Sequence, residues 1–381
     1  MLRRIAIGVG CGLGLLVAGA GAWAVFFSLY DPRVPLAEPV VIERTPGSPD
    51  IITLALAGDF APADKALALI ETQGYRFPYL GTAEIMRSAD IAFANLEAPV
   101  TEARARLPRS KDWFYRVEPQ ATDAWSWLGL DLINLANNHI LDYRAVGVTD
   151  TVRHLDAAGL PHIGAGADER AARRPVIFDV GGTRIGFLGY LQDKVGYNLY
   201  LGLYAVGGRA GAAKLTERDI SEDVRRLRPL CDVLLVSVHW GENYAPVDAN
   251  QERWGRRLLE LGVDVVIGHH SHDVQAAEVS RGGGVILYSL GNYAWGAPGH
   301  YHMRIGFIAR LGVTPRRGEQ PARLKFVELL PIVTQNRIVN FQPRLLHPEE
   351  VEWLDPFLEA TRARGTRVDV AGTMVKLQLP E

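Results

Sequence analysis

Val263-Asp264-Val265-Val266-Ile267 runs directly into Gly268-His269-His270-Ser271-His272. An apolar run that breaks into a cluster of histidines decides how this chain is read. Parallel strands buried on both faces appear in sequence as continuous apolar runs. Open α/β sheets place their chemistry just past the carboxyl ends of such strands. The same pattern recurs along the chain. Leu130-Asp131-Leu132-Ile133-Asn134-Leu135-Ala136 opens onto Asn137-Asn138-His139, and Val233-Leu234-Leu235-Val236-Ser237-Val238 opens onto His239-Trp240-Gly241. Residues 52–57 end in Gly58-Asp59, and residues 91–94 end in Asn95-Leu96-Glu97. Strand ends carrying Asp, Asn/Glu, Asn/His, His and His-x-His are expected to converge on one crevice. A mixed set of imidazole and carboxylate donors suits Zn, Mn or Fe, so the first expectation is a metal site in an α/β sheet.

Strand-like and helix-like segments alternate from residue 51 onward, as βαβ units do. The spacing of Val146, Val148, Val152 and Leu155 predicts a helix over 145–158, stopped by Gly159. Further helices are expected over 219–230, 253–261 and 349–363, and further strands over 176–180, 184–190, 284–289, 305–313 and 324–332. The Gly181-Gly182 pair marks a hairpin.

Each candidate site residue has an ordinary reading beside the chemical one. Asp59 is a good first metal ligand, and also a plausible turn or helix-cap Asp. Asn95 and Glu97, two apart, share one side of an extended segment, although a Glu in a turn needs no function. Asn137-Asn138-His139 is more specific, because Asn is disfavoured within strands. An amide oxygen can ligate a metal, His139 can act near a leaving group, and Asp142 can orient that imidazole. His239 reads either as a ligand or as a core histidine packed by Trp240. His270 and His272 have ligand spacing on one side of an extended segment, with His269 facing away. In Ser289-Leu290-Gly291-Asn292, the Gly implies close backbone approach and the Asn a contact near the site.

Composition narrows the class. Hydrophobic residues make up 48% and charged ones 22% of 381 residues, which fits a globular chain of one large domain or two ordinary ones. The formal net charge of −2 gives no basis for nucleic-acid binding. Cys11 and Cys231 are placed too differently to form a disulfide, so neither a disulfide framework nor a Cys-type zinc site is expected. Arg3-Arg4 precede an uncharged run over residues 5–30. That run is long enough for a transmembrane helix, with Arg3 and Arg4 cytoplasmic and Trp23 and Tyr30 at the outer interface. Ala20-Gly21-Ala22 and Ala22-Trp23-Ala24 also fit a signal-peptide cleavage site. Either reading sends the bulk of the chain out of the cytoplasm, and the anchor reading makes it a single-pass protein of the cell membrane. Pro32, Pro35, Pro39, Pro46 and Pro49 suggest an extended linker over 31–50.

Gly58-Asp59, Asn95-Leu96-Glu97, Ala136-Asn137-Asn138-His139 with Asp142, His239-Trp240-Gly241, Gly268-His269-His270-Ser271-His272 and Ser289-Leu290-Gly291-Asn292 follow one another in an order that resembles the CapA family. These are poly-γ-glutamate capsule synthesis proteins with a fold like the calcineurin-type metallophosphoesterases. The resemblance spans roughly residues 51–296. It implies layered sheets flanked by helices over 51–345, with a C-terminal helix and tail over 346–381. It implies one or two divalent ions. Asp59 and His272 resemble first-metal ligands, Glu97 stands where a bridging carboxylate is expected, and Asn138, His239 and His270 resemble second-metal ligands. His139 resembles the catalytic histidine and Asp142 its partner, while Asn95, Asn137 and Asn292 stand close enough to touch substrate. Two departures matter. Ala61 stands where the metallophosphoesterases carry a second His, and the bridging carboxylate is a Glu. An ion at Asp59 would therefore have a thinner shell. The implied function is a membrane-anchored, metal-dependent hydrolase acting on an envelope polymer or a phosphorylated small substrate, in or near a capsule synthesis complex. The alternative is a non-catalytic metal- or polymer-binding component of an envelope polymer synthesis or export complex.

Overall fold

The strands form where β-branched and apolar residues run on. Val233–His239 is buried at every position, and so are Ile91–Leu96 and Val265–His269. The computed structural model describes residues 34–107, 113–296 and 304–380, and Leu36–Glu381 falls in one unit. Two sheets carry the fold. The first runs Val40–Arg44, Val176–Val180, Thr183–Gln192, Val233–His239, Val265–His269, Val285–Leu287, Ala277–Val279. The second runs Val368–Ala371, Met374–Leu377, Arg323–Val333, Ile305–Thr314, Ile52–Ala61, Ile91–Leu96, Leu132–Asn134, His162–Ile163.

Alternation along each strand sorts side chains into layers. Leu54, Leu56 and Phe93 of the second sheet pack with Phe187, Leu235 and Ile267 of the first. Phe93 and Phe187 stack with ring centroids 6.1 Å apart. Burying each such ring contributes roughly 1.5–3 kcal/mol. The outer face of the second sheet carries small residues, Ala55, Ala57, Ala92 and Ala94, which let helices close over it. Trp125 of helix Ala121–Leu128 packs there edge-on against Phe60 at 5.4 Å. Helices Glu217–Leu227 and Ala249–Glu260 cover the other face of the first sheet through Ile220, Val224, Trp254 and Leu258. The order is helix, sheet, sheet, helix, the layered α/β class expected.

The strands that matter for chemistry are parallel within each sheet. Ile52–Ala61, Ile91–Leu96, Leu132–Asn134 and His162–Ile163 run together, as do Thr183–Gln192, Val233–His239, Val265–His269 and Val285–Leu287. Each sheet therefore gathers its carboxyl ends at one edge. The two edges meet where Asp59 of one sheet lies 3.0 Å from the His269 ring of the other.

Several expectations need correction. The N-terminal transmembrane helix, and with it the single-pass membrane location, is not supported. Among the described residues no helix is long and apolar enough to cross a membrane, and residues 5–30 lie outside those described. The longest α-helix among them, Arg144–Ala157, has 14 residues, against the ~20 that a bilayer requires. The segment read as a linker contains a strand, because Val40–Arg44 pairs in parallel register with Val176–Val180. The C-terminal helix is a 3-10 segment, Pro348–Leu354, followed by helix Asp355–Arg362. The tail beyond it forms a hairpin, Val368–Ala371 with Met374–Leu377, that extends the second sheet through Arg323–Val333. The helix expected over 253–261 starts earlier, at Ala249, because Asp248 and Gln251 form a capping box.

Gly58 shows why the meeting edges are intolerant of change. The Asp59 amide donates to the Gly291 carbonyl at 2.9 Å, and a methyl group on Gly58 would overlap that carbonyl oxygen. A backbone carbonyl cannot rotate away as a side chain can. Gly58→Ala is expected to destabilise the fold by on the order of 2–3 kcal/mol, read as a lower denaturant midpoint at unchanged slope. A midpoint equal to that of the parent would show that the two backbones have room to part.

Candidate metal centre

Ile52–Ala61 is longer than expected. A bulge between Leu56 and Asp59 lets it resume pairing, with Asp59 opposite Asn95 and, on its other side, opposite Asn292. Asp59 is wholly buried and receives three partners. Asn95 Nδ2 donates to Oδ1 at 2.7 Å. The His270 amide donates to Oδ2 at 3.0 Å. His269 Nδ1 lies 3.0 Å from Oδ1. Burial alone would raise the Asp59 pKa, but the hydrogen bond from His269 and the nearby imidazoles His269, His239 and His272 outweigh it and hold the group below the usual carboxylate range.

Glu97 follows the next strand and is also wholly buried. Its Oε1 lies 3.3 Å from His239 Nε2, 3.9 Å from His272 Nε2 and 4.0 Å from His139 Nε2. His239 Nε2 in turn lies 2.6 Å from Asn138 Oδ1. The His239 and His270 rings are 4.6 Å apart, and His270 and His272 are 6.3 Å apart. Two sets of donors result. Glu97, His239 and His270 offer ligand atoms within 4.8 Å of one another, and so do Asp59, Glu97 and His272. Glu97 belongs to both. Donors around one ion bound at ~2.1 Å stand roughly 3 Å apart, so small side-chain movements close either set.

The donor chemistry fits a metal. Burial pushes the pKa of His239 and His270 well below the ordinary histidine value, with neighbouring imidazoles adding to the effect, and Lys194 too at His270. Burial also lowers His272, although Asp59 and the Asn292 hydrogen bond oppose it. A neutral imidazole keeps the lone pair that a metal needs. His270 Nδ1 is buried and has no hydrogen-bond partner among the described residues, a costly arrangement unless something else meets it.

His139 stands at the edge of this set and is held differently. Its Nδ1 lies 2.7 Å from Asp142 Oδ2. The Tyr115 amide donates to the same oxygen at 2.8 Å, and the Tyr115 ring packs on the imidazole at 4.6 Å. Nδ1 is therefore engaged, and Nε2 is the nitrogen that faces Glu97.

Three assignments change in the light of these contacts. Asn95, Asn137 and Asn292, read as touching substrate, are buried and bonded within the protein. Asn95 accepts from Asn134 Nδ2 at 2.7 Å while donating to Asp59. Asn137 Nδ2 donates to the Leu96 carbonyl and Oδ1 accepts from the His139 amide. Asn292 Oδ1 lies 3.0 Å from His272 Nδ1. Each orients a neighbour. His269 does not face away from the site. The strand extends through Val265–His269, and alternation turns His269 toward Asp59 and Phe93. His270 and His272 come together without an extended segment. Both adopt left-handed backbone, with φ of 96° and 57°, which is strained for residues other than Gly. An aromatic wall that belongs to none of the expected site residues also lines the centre. Trp295 packs on His272 at 4.4 Å, the Tyr244 ring lies 6.0 Å from His272, and the Tyr197 hydroxyl lies 3.5 Å from His270 Nε2. Tyr197 and Tyr244 come from segments that carry no motif, so no local signal points to them.

Two parallel-edged sheets that meet over a buried set of imidazoles and carboxylates define a layered α/β protein with a candidate metal centre. The chain belongs to the family described as bacterial capsule synthesis protein PGA_cap, whose model matches residues 53–296. It is 26% identical over 280 residues to the capsule biosynthesis protein CapA of Bacillus anthracis, covering 69% of this chain and 67% of that protein. It is 29% identical over 370 residues to a probable polyglutamine synthesis accessory protein of Mycobacterium tuberculosis, covering 84% of this chain and 94% of that one. The PGA biosynthesis protein CapA of Bacillus subtilis is 26% identical over 288 residues, 70% of this chain and 72% of its own.

The buried imidazoles make a prediction about pH. With any ions removed by a chelator, the unfolded chain protonates its histidines near pH 6.5, while the folded chain keeps His239, His270 and His272 neutral to lower pH. The unfolded state then binds more protons, so stability falls as pH falls below about 6.5. Between about pH 7.5 and about pH 5.5 the loss is about 1.4 kcal/mol for each histidine that stays neutral. Asp59 acts in a separate window, because its contribution is lost only below about pH 4. Denaturant unfolding of chelated protein at the two pH values tests this, and equal unfolding free energies would contradict it.

Proposed function

We propose that the chain is a metal-dependent hydrolase with a phosphoesterase-type site, serving the formation of capsule or another envelope polymer. The observation that carries this reading is Glu97, shared between two sets of candidate ligands, with His139 beside it and outside both sets. Asp59, Glu97 and His272 would hold one divalent ion; Glu97, His239, His270 and Asn138 would hold the other. Mn, Fe or Zn suits such donors. Ions held there supply Lewis acidity to a phosphoryl or acyl oxygen.

The protein's own groups supply the rest. Asp142 engages Nδ1 of His139, so Nε2 is the atom that carries the exchangeable proton. In hydrolysis, the oxygen of a water molecule bonds to the phosphoryl or acyl centre and gives up a proton. The bond to the leaving atom (oxygen in an ester, nitrogen in a γ-glutamyl amide) breaks, and Nε2 of protonated His139 delivers its proton to that atom. The proton lost by the water restores the imidazolium by way of solvent. Tyr115 keeps the His139 ring in place by packing on it, and Trp295 does the same for His272. A groove of about 870 Å³ begins at Tyr244 and Asp273, next to His272, and is lined farther on by Trp353 and Phe357. It gives room for a chain-like substrate as well as a small one. The relatives are described as capsule and polyglutamine synthesis proteins, which supports an envelope polymer as the setting and a capsule synthesis complex as the partner.

A second reading has one observation in its favour. Ala61 is buried and paired opposite Trp295, at the position where the resemblance expects a histidine. The Asp59 set is thereby one imidazole short, which suits a weakly occupied site in a non-catalytic polymer-binding component.

Substitutions separate the roles. His139→Ala is expected to leave metal content near that of the parent and to lower turnover by about 100-fold or more. Asp142→Asn should cost less, because it perturbs only the orientation and basicity of His139. His270→Ala should lose metal and turnover together. Metal analysis and a screen of phosphomonoesters, phosphodiesters and γ-glutamyl polymer provide the readouts. Loss of metal in His139→Ala equal to that in His270→Ala would make His139 a ligand. A metal-loaded parent that hydrolyses none of the substrates would favour the second reading.

A further inference from the structure

Lys194 lies beyond every motif, in the segment that follows strand Thr183–Gln192. Its ammonium donates to the Gly241 carbonyl oxygen, two residues past His239, and to Glu242 Oε1 at 2.9 Å. It sits over the Tyr197 ring, 5.4 Å from the centroid, and the Tyr197 hydroxyl reaches His270 Nε2 at 3.5 Å. Lys194 is thus tied to the neighbours of two candidate ligands of one ion. Its backbone is fixed as well, since its amide donates to the Tyr204 hydroxyl at 2.9 Å.

The partner of this ammonium is poorly held. The Glu242 side chain is 69% exposed, whereas Lys194 is 20% exposed. Exposed pairs of this kind contribute little, because water screens them and long side chains lose freedom in forming them. The neighbouring acid Asp193 does not compete, since its carboxylate pairs with Lys214 at 2.9 Å. An ammonium has three N–H groups, and the described residues supply two acceptors, Gly241 and Glu242. A cation with a rigid base, one fixed acceptor and one exchangeable acceptor is built to receive an anion at the edge of the site.

We propose that Lys194 is a substrate-binding residue that takes a non-bridging oxygen of a terminal phosphoryl group, displacing Glu242. The proposal rests on the phosphoesterase reading above and names the substrate class. A phosphodiester offers one anionic charge over its non-bridging oxygens, which ions at the centre would take up. A phosphomonoester carries a further charged oxygen, and that oxygen is the one assigned to Lys194, whose ammonium is tied to Gly241 and Tyr197 beside the candidate ligands His239 and His270.

Equilibrium binding of inorganic phosphate to the full, metal-loaded chain tests this, with dimethyl phosphate as the second probe. Lys194→Met is expected to weaken phosphate binding by about 10- to 100-fold, the effect of removing one charge-assisted hydrogen bond. Metal content and denaturant midpoint should stay near the parent values. Lys194→Arg should restore phosphate binding toward the parent value, which a purely structural role would not require. Glu242→Gln should bind phosphate as well as the parent or better. Dimethyl phosphate should bind weakly and with no dependence on Lys194. Phosphate binding by Lys194→Met equal to the parent's would overturn the role of Lys194 and leave the phosphoesterase reading intact. A metal-loaded parent with no affinity for phosphate would overturn that reading, and this proposal with it.

Discussion

One carboxylate ties the two sheets together. Asp59 belongs to the second sheet, and its oxygens are met by Asn95 from the same sheet and by His269 and the His270 amide from the end of the first. A wholly buried charge is tolerated only when its hydrogen-bonding capacity is met. The sheets must therefore hold a relative position that brings both sets of partners to Asp59. Asn134 extends the chain of contacts by fixing the amide of Asn95. Everything that matters for chemistry hangs from this junction. His270 and His272 follow the strand that ends at His269, Glu97 follows the strand that carries Asn95, and Asn138 and His139 follow the strand that carries Asn134.

Much of the centre could be read from the chain because each strand announces itself by an apolar run and each candidate ligand follows directly. Asp59, Glu97, Asn138, His239, His270 and His272 all stand just past such a run, and their convergence follows from parallel strands alone. What could not be read depends on register. The run over 263–267 pairs as a strand through His269, two residues beyond the apolar stretch, and those two residues decide that His269 turns toward Asp59. The amides of Asn95, Asn137 and Asn292 pose the same difficulty in another form. A polar side chain near a site either faces the ligand or braces a neighbour, and only the three-dimensional partner tells which. Tyr197, Tyr244 and Lys194 arrive from segments with no pattern at all.

The periphery was the least legible part. The Pro-rich composition of residues 31–50 suits a linker, yet Val40–Arg44 forms a strand in which the two residues on each side of Ile42 are exposed and Ile42 is half-buried. Such a strand buries little of its own. It exists because Val176–Val180 presents an unpaired edge, and edge pairing satisfies backbone groups that water would otherwise have to meet. The hairpin Val368–Ala371 with Met374–Leu377 closes the opposite end of the other sheet in the same way. Each of its strands has four residues, and burial alternates only along Met374–Leu377, too short a stretch for periodicity to declare it.

The strain at His270 and His272 bears on what the centre is for. Left-handed backbone at two residues that are not glycine costs on the order of 1–3 kcal/mol each, and the surrounding structure must hold it in place. The Tyr244 amide donates to the Ser271 carbonyl at 2.8 Å, and the Ser271 hydroxyl donates to the Asp273 carbonyl at 2.7 Å. Gly268, just before the turn, has no room for a side chain because the Tyr288 carbonyl and the Trp240 indole stand against it. The turn is thus braced on both sides before any ligand arrives. The fold keeps three buried imidazoles neutral, close together and partly without partners, an arrangement that weakens the protein on its own. An ion bound there would relieve that cost, since it would bind the folded chain in preference to the unfolded one, and a centre braced in advance would lose little further freedom in taking it.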